Sequence, residues 1–373
     1  MITCEKLFEL FDESNLLFFT GVPDSTFKGW TRFLADEHGN KLTNVIACNE
    51  CEAVAIASGY HLATGKIGVV YMQNSGEGKA VNPLTSLCDP EVFSIPVMLM
   101  IGWRGEPGVK DEPQHRKMGK VMMPLLEALE VPYRILPDEP EKIAAAIKEM
   151  KDKAEKENTP VAIIVRKGVI GDYEAKVEEK ESYSLTREEA IKIIAGKMDG
   201  SEVIVSTTGK ASRELFEYRD MKKQAHKNDF YTLGSMGCSA SIALGISLQS
   251  KRKVFIFDGD GAVLMQMGAL ATIGHYGQEN VYHIIFDNSS YGSTGGQPTI
   301  SPTVDFGRIA FACGYKSAQT VSTEPELLKA LDMESKGPSI LVIKVKKGSR
   351  SDLGRPTTSP VQSKEELMKF LTE

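Results

Sequence analysis

Short apolar runs alternate with amphipathic stretches along the whole chain. In the first half, helical spacing over residues 4–13 leads to an expected strand at 16–19 and a helix from Ser25, read as its N-cap, towards His38. A strand at 44–48 then enters an alanine-rich helix that ends at Thr64, with Gly65 as C-cap. Strands are expected at 68–72, 96–101 and 161–165, a glycine-punctuated turn at 73–78, and a helix near 139–157. A long polar loop runs from Gly102 to His115, and long loops in compact domains are often functional. The second half repeats the alternation. A helix from Arg187, a strand at 203–206, a helix from Ala211, a strand at 230–233 and a helix near Gly237 lead to a strand at 254–257. The turn Asp258-Gly259-Asp260-Gly261, an apolar-periodic run at 262–275 and a strand at 281–286 follow. Helices near 304–312 and from Pro325, a strand at 340–345, an irregular stretch at 353–360 and a short helix complete the chain. Strands alternating with helices predict an α/β chain with parallel, doubly wound sheets.

Residues 171–184 are charged and lack periodicity, which predicts a linker between domains 1–170 and 185–373. The two halves also look related. A shift of 186 residues places Ala57, Gly59 and Leu62 on Ala243, Gly245 and Leu248. It also places Val69-Val70-Tyr71 on Phe255-Ile256-Phe257, and Asn74-Ser75 on Asp260-Gly261. Identity at three positions alone is weak; with matching strand positions it favours two copies of one doubly wound unit.

With 373 residues, the chain can fill two full cores. A net charge of −6 without a basic block argues against a nucleic-acid partner. No apolar run reaches membrane-spanning length, and MITCEKLFEL lacks a signal-peptide pattern, so a cytoplasmic protein is expected. Cys48 and Cys51 form a C-x-x-C, but no second pair or histidine pair accompanies them, which favours free thiols over zinc.

The stretch 254–296 carries the clearest chemistry. Strand, glycine turn, helix and strand put Asp260 and Asn288 at the carboxyl ends of neighbouring strands. Carboxylate and carboxamide oxygens are hard ligands that suit Mg²⁺. Gly259 and Gly261 let backbone approach a phosphate, and the helix start offers free N–H groups. A lone Asp-Gly turn is usually only a turn; Gly-Asp-Gly followed at this spacing by Asp287-Asn288 is more specific. It resembles the thiamine-diphosphate motif, with Asp287 where many members carry asparagine. By that resemblance Asp260, Asn288 and the carbonyl of Ser290 hold the metal, and Gly259, Gly261 and Ala262 line the cofactor.

Glu50 follows an expected strand and opens a helix. By itself it reads as a glutamate favoured by the helix dipole. Beside a thiamine site, Asn49-Glu50 resembles the pair whose carboxyl bonds the aminopyrimidine ring, whose nitrogen then removes the thiazolium C2 proton. The segment 230–237 reads as a strand and flexible turn, with Met236 as core filling. In the same context it looks like the wedge that bends the cofactor: Met236 presses on it, the Gly234 carbonyl accepts the amine hydrogen, and Ser235 faces the diphosphate. Thr208 and Gly209 end a neighbouring strand and could touch the diphosphate, or form a simple turn.

Asp24 reads as a turn aspartate and His115 as a surface histidine. In a 2-oxo acid decarboxylase, acid–base groups of these types protonate the product carbon. Arg104, Lys110, His115 and Arg116 share one loop region, which is either solvated or a clamp for a dianionic head group. Gly-Trp-Arg-Gly-Glu-Pro-Gly-Val-Lys-Asp-Glu-Pro-Gln-His, with Thr-Gly-Val-Pro-Asp-Ser, Asn-Pro-Leu-Thr-Ser-Leu and Gly-Ser-Thr-Gly-Gly-Gln, closely resembles the phosphonopyruvate decarboxylases over essentially the whole chain. Sulfopyruvate decarboxylases are the nearest relatives of that family. The charged Glu77 and Lys79, and Cys51-Glu52 after Glu50, depart from the pattern. The resemblance implies a pyrimidine-binding domain followed by a diphosphate-binding domain, thiamine diphosphate and Mg²⁺ as cofactors, and a small anionic 2-oxo acid as substrate. It implies Glu50, Asp24 and His115 as catalytic residues, and Ser25, Arg104, Lys110 and Arg116 as substrate-binding. It also implies a homo-oligomer with active sites between subunits.

Overall fold

The computed structural model of the chain describes residues 1–176, 183–332 and 336–373. The chain divides into two compact units between residues 178 and 179. That division falls within the expected linker 171–184, of which residues 177–182 lie outside the described residues.

In the first unit, six parallel strands form one sheet: β1 (Phe18–Gly21), β2 (Thr43–Ile46), β3 (Gly68–Gln73), β4 (Val97–Gly102), β5 (Tyr133–Ile135) and β6 (Val161–Val165), in the order β2-β1-β3-β4-β6-β5. Six more parallel strands form the main sheet of the second unit. They are β7 (Val203–Ser206), β8 (Asp229–Tyr231), β9 (Val254–Gly259), β10 (Val281–Asp287), β13 (Ser317–Val321) and β14 (Ser339–Lys344), in the order β13-β14-β10-β9-β7-β8. A short antiparallel pair, β11 (Ser290–Tyr291) and β12 (Gln297–Pro298), follows β10. Read from the end that carries its second strand, each main sheet runs second, first, third, fourth, sixth, fifth. The sequence repeat is therefore a repeat of topology. β3 and β9, 186 residues apart, are the third strands of their units, each preceded by the helix that carries the matched alanine and glycine: Glu50–Thr64 and Ser239–Ser247.

Side chains alternate across each strand, so both faces of the first sheet are apolar. Val69, Tyr71, Met98, Met100, Ile163 and Val165 pack on one face with Phe11, Trp30, Phe33 and Ile147. Val70, Met72, Leu99, Ile101 and Ile164 pack on the other with Ala53, Val54, Ala57, Leu84 and Leu126. Trp30 is fully buried and stacks on Phe33 and Phe11 at 5.4 and 5.5 Å.

Several local readings change. Asp24, not Ser25, is the cap: its carboxylate accepts from the Thr26 N–H at 3.1 Å, and a 3₁₀ turn at Ser25–Phe27 precedes the helix Lys28–Glu37. The turn expected at 73–78 is a 3₁₀ turn at Asn74–Gly76 running into the helix Glu77–Leu84. That helix and His115–Ala128 each contain a proline, Pro83 and Pro124, which obscures them in the sequence. β5 and β13 lie at sheet edges and leave most of their residues exposed or half-buried, so they lack the apolar run of a central strand. The run 262–275 splits at Gln266 into helices Asp260–Met265 and Gly268–Tyr276.

Candidate active site

The candidate residues of the first unit follow its strands: Asp24 after β1, Glu50 after β2, the turn 73–76 after β3 and Arg104 after β4. The turn after β3 joins them. Gln73 donates from Nε2 to Asp24 Oδ1 at 2.5 Å, while Asp24 Oδ2 accepts from the Thr26 N–H. Asp24 is wholly buried, and a Cβ on Gly102 at the end of β4 would fall 2.1 Å from its Oδ2. Asn74 donates to the Arg104 carbonyl at 2.8 Å and accepts from the Arg104 N–H at 3.3 Å. Gly76 then passes directly over Glu50: a Cβ there would lie 2.3 Å from Oε1. Asp24 and Glu50 thus flank one four-residue turn, 73–76.

Glu50 is the first residue of its helix, capped by Asn49, which accepts from the Glu52 N–H at 3.0 Å. Its carboxyl is buried and Oε2 has no hydrogen-bond partner. Burial raises its proton affinity above the ordinary glutamate range, opposed by the Lys79 ammonium and by a backbone hydrogen bond. Glu52 points elsewhere, accepting from the Cys48 N–H at 2.7 Å, as a helix-start glutamate does. The Cys48 thiol is pushed up to about 11, mainly by burial, and all six cysteines are free.

The loop after β4 is latched onto this edge. Asp111 accepts from Arg104 Nε at 2.8 Å, from Nη2 at 2.5 Å and from the Gly105 N–H at 2.8 Å. Arg104 Nη1 donates to Ser25 Oγ at 2.7 Å. Gly119 lets the following helix close on the loop, since a Cβ there would meet the Gly105 carbonyl oxygen at 1.7 Å. His115 opens that helix, with Nδ1 buried and unpartnered. Burial, then Arg104, lowers its proton affinity below the ordinary histidine range, against weaker pulls from Asp111 and Asp24. The four basic residues, read from the sequence as either a solvated loop or a clamp, differ in the structure. The Arg104 fork is filled by Asp111, and Lys110 and Arg116 are exposed. Long charged side chains keep solvent contact unless a partner repays their desolvation, and only Arg104 has that partner in the loop.

In the second unit the expected residues converge on the turn after β9. Met236 lies against it: a Cβ on Gly261 would fall 3.3 Å from the Met236 methyl and 2.7 Å from the Tyr291 ring. Gly237 packs on the Ala262 carbonyl. Thr208 Oγ1 accepts from the Gly234 N–H at 3.1 Å, and a Cβ on Gly209 would lie 3.0 Å from Ser293 Oγ. Gly234, Ser235 and Gly237 all take positive φ, so this loop holds a conformation costly for Ser235.

Asp260 is buried and its Oδ2 accepts from Thr299 Oγ1 at 2.5 Å. Burial first, and the Asp287 charge second, push its carboxyl up to about 7. A divalent cation would relieve that excess of negative charge. Asn288 Oδ1 accepts from the Ser290 N–H at 3.1 Å, and the Ser290 carbonyl accepts from the Gly292 N–H at 3.0 Å. Each of these oxygens keeps a second acceptor direction for a cation. Among the described residues, no cluster of three or more His, Cys, Asp and Glu side chains could hold a metal. The fitting donors are instead one carboxylate, one carboxamide and one backbone carbonyl, all hard oxygens.

Sequence reasoning missed the buried supports of both groups. Gln73 orients Asp24, Asp111 holds Arg104, and Thr299 holds Asp260. Asp258, one residue before Gly259, accepts from Ser239 Oγ at 2.5 Å and lies 3.2 Å from His283 Nε2, whose Nδ1 is 3.2 Å from the Tyr315 hydroxyl. Asp287, wholly buried, accepts from Lys344 Nζ at 2.5 Å, Ser301 Oγ at 2.7 Å and the Ser289 N–H at 3.0 Å. The only sequence signal for these was polar residues inside apolar strands, as with His283 in β10 and Lys344 at the end of β14.

The comparisons with known proteins match both units. Residues 3–131 match the family model of the thiamine pyrophosphate enzyme N-terminal TPP binding domain, and residues 207–345 match that of the C-terminal TPP binding domain. The phosphonopyruvate decarboxylase of Streptomyces hygroscopicus is 34% identical over 359 residues, covering 92% of this chain and 87% of that protein. That of Streptomyces viridochromogenes is 34% identical over 340 residues, covering 87% and 84%. The sulfopyruvate decarboxylase of Methanosarcina acetivorans is 28% identical over 355 residues, covering 87% and 86%. With both thiamine pyrophosphate domains matched and two such relatives similar along nearly their whole length, the chain belongs to the phosphonopyruvate decarboxylase family of thiamine pyrophosphate enzymes and is a decarboxylase of 2-oxo acids.

Proposed function

We propose that this chain converts 3-phosphonopyruvate to phosphonoacetaldehyde and CO₂ with thiamine diphosphate and Mg²⁺, as a step in phosphonate biosynthesis. The observation that carries the reading is the turn 73–76, which places Asp24 and Glu50 on either side of one strand end beside the Arg104–Asp111 latch. The same strand-end sequences carry the resemblance to the phosphonopyruvate decarboxylases.

Thiamine diphosphate, when bound, supplies an electron sink for the carbon that loses CO₂. The chain's own residues do the rest. Glu50, a buried carboxyl, would exchange a proton with a ring nitrogen of the cofactor. Met236 would support the cofactor's ring, the Gly234 carbonyl would accept its amine hydrogen, and Ser235, Thr208 and Gly209 would lie at the diphosphate. Asp260, Asn288 and the Ser290 carbonyl would hold Mg²⁺, which would offset the negative charge of the diphosphate. Ser25 and the Arg104 face not taken by Asp111 orient the anionic substrate, with Lys110 and Arg116 raising the local positive potential. His115, kept uncharged at neutral pH, and Asp24 hold and move the proton that takes the place of CO₂ on the product carbon. Residues 1–170 would serve as the pyrimidine-binding domain and 185–373 as the diphosphate-binding domain. A cytoplasmic homo-oligomer with active sites between subunits accompanies this reading, and sedimentation of the purified chain checks the assembly.

Sulfopyruvate is the rival substrate, favoured by the Methanosarcina acetivorans relative. Steady-state rates with both acids, thiamine diphosphate and Mg²⁺ separate the two. A kcat/KM at least tenfold higher for phosphonopyruvate is expected, and the reverse preference would reassign the substrate.

A further inference from the structure

We propose that Lys79 is a positioning residue for Glu50: its ammonium fixes the direction of the carboxyl and favours its ionised form. The inference rests on the reading of Glu50 as the cofactor-facing carboxyl. Three observations lead to it. Lys79 Nζ lies 3.9 Å from Glu50 Oε2, close enough for a strong charge interaction and too far for a hydrogen bond. Oε2 is buried and has no hydrogen-bond partner, so the ammonium is what compensates that oxygen. On the other side, Gly76 presses on Oε1, so the carboxyl is held between a backbone without a side chain and a cation.

The local structure delivers the cation there. Gly76, Glu77, Gly78 and Lys79 pass from the 3₁₀ turn after β3 into the helix Glu77–Leu84, which packs beside the helix that Glu50 opens. Lys79 sits in the first turn of its helix and keeps about a third of its side chain in solvent, so its ammonium reaches inward from the surface rather than lying buried. Among the described residues it is the one charged side chain acting on Glu50; Glu52, two residues on, is turned to the Cys48 N–H. Burial shifts Glu50 towards its protonated form, and a carboxyl that cannot ionise cannot exchange its proton with a ring nitrogen. The cation offsets part of that burial.

The test uses the full chain without cofactor, so it does not depend on turnover. The Glu50 side-chain carboxyl is followed by ¹³C NMR across a pH titration, its resonance assigned by its loss in Glu50→Gln. In Lys79→Met the titration midpoint is expected to rise by about one pH unit or more, the lower end of the effect of an opposite charge at this distance. Lys79→Arg should return it to within a few tenths. Lys79→Gln is the second neutral variant should the methionine disturb folding. A midpoint unchanged in the folded neutral variants overturns the inference. In the loaded enzyme, the pH profile of kcat should move with the midpoint, whereas a purely structural lysine would lower kcat without moving the profile. The two readings fail separately. Full turnover in Glu50→Gln would remove the catalytic role of Glu50 and leave the Lys79 coupling standing; an unmoved midpoint would do the reverse.

Discussion

Asp111 holds the Arg104 guanidinium by both of its carboxylate oxygens, at 2.5 and 2.8 Å, and the same carboxylate takes the Gly105 N–H. Both side chains are mostly buried. A two-pronged pair of this kind fixes orientation as well as charge, and it leaves Arg104 one free edge, turned to Ser25. Asp111→Asn keeps the shape and removes the charge. It should cost about 1–3 kcal/mol in urea unfolding and raise KM for the 2-oxo acid about tenfold with a smaller change in kcat. Arg104→Lys keeps the charge and loses the fork, and should behave similarly. A KM unchanged in both variants would show that the latch does not position substrate.

His115 faces one cation, Arg104, and two carboxylates, Asp111 and Asp24, with burial acting first and Arg104 second to lower its proton affinity. It is therefore uncharged at neutral pH and gains charge only as pH falls below the ordinary histidine value of 6.5. If the uncharged ring does the proton transfer, kcat/KM should be flat through neutrality and fall on the acid side below that value. Arg104→Met removes the repelling cation, so the acid limb should move to higher pH. His115→Gln should lower kcat by about 10²–10⁴-fold.

The repeat was legible because helix and strand periods survive even where identity does not. Asn74 and Asp260 show what the repeat does not carry. The two side chains occupy the same place after the third strand, yet Asn74 uses both amide groups to pair with the Arg104 backbone, which a carboxylate without a donor cannot do. Asp260 accepts from Thr299 and gathers negative charge. The glycines and acids at strand ends, Gly76, Gly261, Glu50 and Asp260, could be read because turns and helix starts are local. The partners that fix them could not: Gln73 and Asp24 are 49 residues apart, Arg104 and Asp111 lie on a loop without period, and Asp287 and Lys344 end different strands. The basic residues near 104–116 looked like one cluster because sequence distance counts charge and does not show which side chain is already paired.

Glu77 tests how far burial alone sets a charge. Both of its carboxyl oxygens are buried without a hydrogen-bond partner, and burial pushes it up to about 8. The folded chain thus keeps a proton that the unfolded chain releases near 4.5. This contribution to stability is fully present below about 4.5 and is lost as pH rises through about 8. Glu77→Leu removes the titration. Between pH 5 and pH 9 the parent should lose about 4 kcal/mol more unfolding free energy than Glu77→Leu. Parallel stability curves would show that Glu77 finds a partner or water in solution.

Asp287 and Lys344 make the converse case, a buried charge whose partner is known. Asp287 is wholly buried and takes Lys344 Nζ at 2.5 Å, while Lys344 keeps about a fifth of its side chain in solvent. Removing the lysine strands a buried carboxylate; removing the aspartate leaves a cation that can turn to water. Lys344→Met should therefore cost about 3 kcal/mol and Asp287→Asn less, with the double variant recovering most of the larger loss. The pair also bears on the proposed metal site, because the Asp287 charge is one of the two causes that raise proton affinity at Asp260. What attracts a proton there attracts a divalent cation too. Lys344→Met exposes the Asp287 charge and should tighten Mg²⁺ binding, while Asp287→Asn should weaken it. Competition with Mn²⁺, read by electron paramagnetic resonance on folded protein with thiamine diphosphate present, gives the order Lys344→Met, parent, Asp287→Asn from tightest to weakest. The opposite order would mean that Asp260 and Asn288 do not hold the cation, because no site beside Asp287 could bind a cation more tightly after losing its charge.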